Sequence, residues 1–190
     1  EPAERYKGRS GKLKLLVFGG SLGAKVLNDT VPQALALFDE ADRPEVVHQC
    51  GKKSVDEVKA LYARLGIQAE VVAFIEDMAA AYAWADVVVC RAGATSVSEL
   101  TAGGIPAILV PFVVSTTQHQ MGNALYMQSH GAGILLAQKD LTAQSLHDRL
   151  AGLTRDSLVE MASHARALSH RGAARTVADT IERLANAQSS

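Results

Sequence analysis

Three short stretches hold most of the side chains capable of chemistry: GGSLGA (Gly19–Ala24), RAGATSVSEL (Arg91–Leu100) and PFVVSTTQHQ (Pro111–Gln120). In the first, Gly19, Gly20 and Gly23 allow a tight turn and close approach of a ligand to the main chain, while Ser21 offers a hydroxyl and Leu22 leads into a helical pattern. A glycine turn that opens a helix presents unpaired amides and the positive end of the helix dipole, which together attract an anion. The stretch fits neither common phosphate template. After Gly23 stand Ala24 and Lys25 rather than Lys-Ser/Thr, and GxGxxG begun at Gly19 fails at Ser21 and Ala24. The second stretch repeats the plan with Gly93, Thr95 and Ser96, and places Glu99 about one turn into the next helix, where a carboxylate can accept from the paired hydroxyls of a ribose. Plain helix capping competes with both readings: Ser21 as an N-cap, and Ser96 with Glu99 as a capping box. Two such helix starts in one chain nevertheless suggest a nucleotide diphosphate.

The third stretch and its continuation carry Ser115, Thr116, Thr117, Gln118, His119, Gln120 and Asn123. Such a set suits the neutral hydroxyls of a sugar, or equally a solvated loop. In Phe74-Ile75-Glu76-Asp77-Met78, the backbone at Ile75 is placed to pair with a base edge, with Phe74 and Met78 read as core. Asp-x-Asp, HExxH and GxSxG are all missing, and the six histidines are scattered. No metal or cofactor is therefore expected. No general base stands out either: Glu99 is committed to hydroxyls, and His119 is the one imidazole in a site loop. The pattern is that of a binding half without its catalytic partner.

These loops need a frame. Short Val/Ile/Leu runs predict strands at about 13–19, 45–49, 70–74, 86–90, 106–110 and 132–136. Helical periods predict helices near 24–38, 52–65, 77–83, 95–103 and 119–130, then 142–151, 155–168 and 173–187. Runs that are apolar throughout suit strands covered on both faces. The alternation implies an α/β doubly wound, Rossmann-like parallel sheet of six strands in the order 3-2-1-4-5-6. Ligands then bind where the order reverses, beyond strands one and four, which is where the first two stretches fall.

The 190 residues are 48% hydrophobic and 21% charged, with a net charge of -1, as expected of one domain with a sizeable core. The near-neutral balance argues against nucleic acid as partner. Cys50 and Cys90 lack metal-ligand spacing and read as free buried thiols. No apolar run approaches the roughly 20 residues of a membrane span. Residues 1–12 read as a linker from a missing N-terminal domain, leaving 13–190 as the binding domain.

GGSLGA, HQCG (His48–Gly51), FIEDMAAAYAWADVVVCRAGA (Phe74–Ala94), SVSEL (Ser96–Leu100), GIPAILVPF (Gly104–Phe112) and HQMGNA (His119–Ala124) resemble, in this order, the C-terminal half of the MurG family. These are the bacterial N-acetylglucosaminyltransferases that convert lipid I to lipid II in peptidoglycan synthesis. The resemblance implies the donor-binding domain of a GT-B fold. It implies that Ser21 and the Gly19–Gly23 loop meet the diphosphate of UDP-N-acetylglucosamine, and that Ile75 meets the uracil. Ala94, Thr95, Ser96, Val97 and Ser98 would line the phosphates and sugar. Glu99 would hold the ribose, and His119 and Gln120 would meet the N-acetylglucosamine. It further implies an inverting transfer, with the base, the lipid I site and the membrane contact in the other domain, at the cytoplasmic face of the inner membrane. The chain departs from the family at Thr95, where Leu is usual, at Val113-Val114 and Thr117-Gln118, and in lacking the particular arginine upstream of the first strand that in the family helps hold the uracil. These changes keep open a relative using another nucleotide sugar or acceptor. A non-catalytic nucleotide-binding module is the reading from a different class.

Overall fold

The computed structural model describes residues 2–112 and 119–169. Six parallel strands form one sheet in the order β3-β2-β1-β4-β5-β6. They are β1 (Lys14–Phe18), β2 (Glu45–Gln49), β3 (Glu70–Val72), β4 (Val87–Cys90), β5 (Ala107–Leu109) and β6 (Ile134–Leu135). The order matches the expectation; β2 spans the expected 45–49, and the other five strands are a residue or more shorter than the apolar runs. Pro106, for example, has no N–H to give the ladder; its carbonyl accepts from Val88.

The continuous apolar runs arise because side chains alternate between two buried faces. Leu15 and Val17 of β1, with Val87 and Val89 of β4, enter a core covered by α2 (Lys25–Ala36), α3 (Val55–Arg64) and α7 (Ala143–Ala151). Leu16 and Phe18, with Val88 and Cys90, enter a second core under α4 (Met78–Trp84), α5 (Ala94–Gly103) and α6 (His119–Ser129). The helix over 155–169 serves both, with Leu158 and Ala162 in the first core and Ala165 and Leu168 in the second. Cys50 and Cys90 are free and buried. The helix expected over 173–187 lies outside the described residues.

The opening segment, read from sequence as a linker, is tied to the sheet domain. Pro2–Tyr6 forms a short helix, α1, and the Tyr6 ring is buried with its hydroxyl donating to Asp86 O at 2.5 Å. Arg5 donates to Tyr82 O at 2.6 Å and to Ala85 O, and Arg9 donates to Trp84 O and Ala85 O. Two guanidiniums thus satisfy carbonyls at the C-terminal end of α4, where a cation also complements the helix dipole. The Asp86 carboxylate, 1% exposed, fixes the segment. It accepts from Arg9 at 2.6 Å and from Lys14 N at 2.9 Å, with Arg155 at 3.7 Å.

Candidate functional site

The turn after β1 is shaped by glycines. Gly20 and Gly23 have φ of 94° and 76°, and Gly23 N donates to Gly20 O at 2.9 Å. A Cβ on Gly19 would come within 2.4 Å of the Ala24 side chain, and one on Gly23 within 2.0 Å of Cys50 O. Across from it, a Cβ on Gly51 would lie 2.2 Å from Leu22 O. The loops after β1 and β2 therefore meet backbone to backbone. Beneath them, Asn28 donates to Cys50 O at 3.0 Å, which leaves its Oδ1 as the acceptor facing His48 Nε2 at 3.1 Å. His48 must donate there, so its Nδ1 accepts from the Tyr62 hydroxyl at 2.9 Å. Burial lowers the His48 pKa to about 4, in keeping with this neutral ring. His48 is thus a hydrogen-bonded structural residue.

Neither capping explanation of the two helix starts holds. The N-cap of α2 is Ala24 and that of α5 is Gly93, and neither helix has a side-chain cap. Ser21 lies outside α2, and Ser96 is already the third residue of α5. The two uncapped ends line one cavity of about 770 Å³. The α2 end contributes Gly19, Gly20, Leu22, Gly23, Ala24, Lys25, Val26 and Asp29 to its lining, the α5 end contributes Gly93 and Ser96, and Arg91, Phe112, Gln120 and Gln138 complete it.

Gln120 is held in place at this cavity, its Oε1 accepting from Phe112 N at 2.8 Å. Asn123 donates to Ala92 O at 2.9 Å, so the start of α6 is tied to the loop after β4. Arg91 donates to Val110 O at 3.1 Å and to Gln138 Oε1 at 2.7 Å, and its guanidinium lies 5.2 Å from the Phe112 ring centre. Burial lowers the Arg91 pKa from its ordinary value.

The other expected residues do not line this cavity. Ser21, Ala94, Thr95, Ser98 and His119 are exposed; none of them is among its lining residues. Val97 is half-buried, its side chain packed against the second core. Glu99 is exposed one turn beyond Ser96, beside a neighbouring cavity of about 800 Å³ also lined by Met78, Tyr82 and Arg5. Its Oε2 accepts from the Tyr82 hydroxyl at 2.9 Å. Ile75 lines a smaller cavity of about 320 Å³ with Phe74 and Trp84. Met78 packs on the second core as expected, but Phe74 is 61% exposed and is not core. Ser115 to Gln118 lie outside the described residues. Among the described residues no group of three or more His, Cys, Asp or Glu is placed to hold a metal ion.

Sequence reasoning missed Arg91, Gln138 and Tyr82. Arg91 had a readable signal, a cation directly after the last residue of a central strand. Gln138 had none, since only the fold brings it across from the far side of β6. The cavity at the strand-order reversal, walled by two uncapped helix starts and a cation, is of the kind that binds nucleotide phosphates.

The comparisons with known proteins agree with this class. The model for the glycosyltransferase family 28 C-terminal domain matches residues 14–184, and the chain belongs to that family. It is 59% identical over 186 residues to the UDP-N-acetylglucosamine--N-acetylmuramyl-(pentapeptide) pyrophosphoryl-undecaprenol N-acetylglucosamine transferase of Methylibium petroleiphilum, covering 97% of this chain and 51% of that one. The enzyme of the same name from Janthinobacterium is 53% identical over 183 residues, covering 96% and 51%. The crystal structure of Acinetobacter baumannii MurG superposes with a TM-score of 0.80 at 37% identity, over 87% of this chain and 48% of that one. The chain thus spans about half the length of the curated relatives it matches, and its fold is that of the C-terminal domain of a GT-B glycosyltransferase.

Proposed function

We propose that this chain is the donor-binding half of an inverting glycosyltransferase that moves N-acetylglucosamine from UDP-N-acetylglucosamine to the 4-hydroxyl of the muramyl sugar of lipid I, giving lipid II. The observation that carries the reading is the convergence of the uncapped starts of α2 and α5 on one cavity, in a chain 59% identical to a transferase of that name. In this reading the diphosphate lies against the amides at Gly19–Lys25 and Gly93–Ser96, with Ser21 at its edge. The uracil pairs with the backbone at Ile75, the ribose hydroxyls meet Glu99, and Gln120 with His119 meets the sugar.

The chemistry follows from that placement. The acceptor oxygen attacks the anomeric carbon from the face opposite UDP, the bond from that carbon to the β-phosphate oxygen breaks, and the electron pair leaves on the diphosphate. Amides fixed in advance and the Arg91 guanidinium favour the charge as it grows. No bound metal is invoked. The base that takes the hydroxyl proton, the lipid I site and the contact with the cytoplasmic face of the membrane belong to the half of the relatives' length that this chain does not match.

Calorimetric titration tests the reading. UDP and UDP-N-acetylglucosamine should bind, UDP-glucose more weakly, and NAD not at all. Binding of NAD but not UDP would overturn the proposal. Equal binding of both UDP-sugars would instead favour a relative with another donor, which the departures at Thr95 and 113–118 keep open.

A further inference from the structure

We infer that Tyr82 is a positioning residue for Glu99: its hydroxyl ties one carboxylate oxygen so that the other is presented to a vicinal diol. The inference rests on the reading of Glu99 as the ribose partner and deepens it.

Glu99 is an exposed glutamate on a helix, and left alone such a side chain samples many rotamers. Tyr82, by contrast, is fixed from three sides. It is buried, its ring meets that of Phe18 edge to face at 6.0 Å between centres, and its carbonyl accepts from Arg5 at 2.6 Å. The phenol has one proton to donate, and Glu99 Oε2 receives it at 2.9 Å. Burial, and then this hydrogen bond, raise the phenol pKa, so the proton stays on Tyr82 and the carboxylate remains the acceptor. Among the described residues Oε1 has no hydrogen-bond partner, which leaves it to a ligand. Phe18 is the last residue of β1, directly before the Gly19–Gly20 turn. One tyrosine ring thus spans from the root of the phosphate loop to the acid, linking the two ends of the nucleotide site. A ligand that fills both ends meets a carboxylate whose orientation is already set, which lowers the ordering cost of binding.

The test uses UDP and 2′-deoxy-UDP, which differ only in the hydroxyl that completes the diol. Wild type should prefer UDP by roughly tenfold, the loss expected when a charge-assisted hydrogen bond is removed. Tyr82→Phe, which keeps the ring against Phe18, should cut that preference about threefold or more, while 2′-deoxy-UDP binds as before. Glu99→Ala should abolish the preference, and adding Tyr82→Phe to it should change nothing further. If Glu99→Ala removes the preference and Tyr82→Phe does not, the positioning role fails and the ribose reading stands. Equal weakening of both ligands by Tyr82→Phe marks a merely structural tyrosine and also overturns the inference. A preference that survives Glu99→Ala, or a wild type that shows none, overturns both.

Discussion

Gly23 and Gly51 stand so close across the top of the sheet that neither position can carry a side chain. Each lies in the left-handed region, with φ of 76° and 84°, and each faces a carbonyl of the opposite loop. The phosphate-binding turn after β1 therefore takes its shape in part from the loop after β2. Gly51→Ala should disturb this pair and reduce UDP affinity at least about tenfold. Gly66→Ala is the control, since Gly66 also has positive φ, 68°, but open space around it. It should cost about 1–2 kcal/mol of stability and leave UDP binding unchanged. Denaturant melts and titrations of the two variants separate strain from collision.

The Asn28–His48–Tyr62 chain beneath that pair makes stability sensitive to acid. His48 titrates at about 4 in the folded chain against an ordinary 6.5. Between those values the unfolded chain holds a proton that the folded one refuses. Its contribution is therefore complete above pH 6.5 and is lost as pH falls towards 4, amounting to about 3 kcal/mol. His48→Gln should be less stable than wild type at pH 7.5, and the gap should narrow by pH 4.5. A gap of equal size at both pH values would contradict the neutral buried ring.

Arg91 contributes a full positive charge to the cavity that both helix starts line. Arg91→Ala should weaken UDP by about 1.5–3 kcal/mol, the range for hydrogen bonds to charged groups, and leave uridine binding unaltered. Comparable losses for both ligands, measured by calorimetry, would place Arg91 in the scaffold rather than at the phosphates.

Asp86 anchors the opening segment to the sheet. Asp86→Ala strands Arg9 and Arg155 in a part-buried setting and should cost about 3–5 kcal/mol in a denaturant melt. The exposed Lys25–Asp29 pair on α2 is the contrast, and Asp29→Ala should change stability by under about 1 kcal/mol. Similar costs for the two would refute the anchoring role.

Much of this architecture was legible because it is local or periodic. Runs such as Val87–Cys90 are apolar on both faces, which identifies covered parallel strands, and their alternation with helical periods implies a doubly wound sheet, whose simplest six-strand order is the one observed. The two glycine turns were readable from residue type alone. The N-terminal segment was not, because Arg5 and Arg9 bind carbonyls some 75 or more residues away and leave no pattern near themselves. Phe74 misled for the opposite reason: an aromatic beside a strand looks like core, yet it points to solvent beside the Ile75 cavity. The capping box at Ser96 and Glu99 had the right spacing, but the N-cap of α5 is Gly93, three residues earlier, and the acid turns to Tyr82.

The most direct test of the central claim is amide chemical-shift mapping of the ¹⁵N-labelled chain titrated with UDP and, separately, with uridine. The account predicts that UDP shifts the amides of Gly19–Lys25 and Gly93–Val97 together, and that uridine leaves both sets in place while moving those around Ile75 and Glu99. UDP shifts confined to one helix start, or appearing only at the opposite end of the sheet around Lys12 and Phe38, would contradict it.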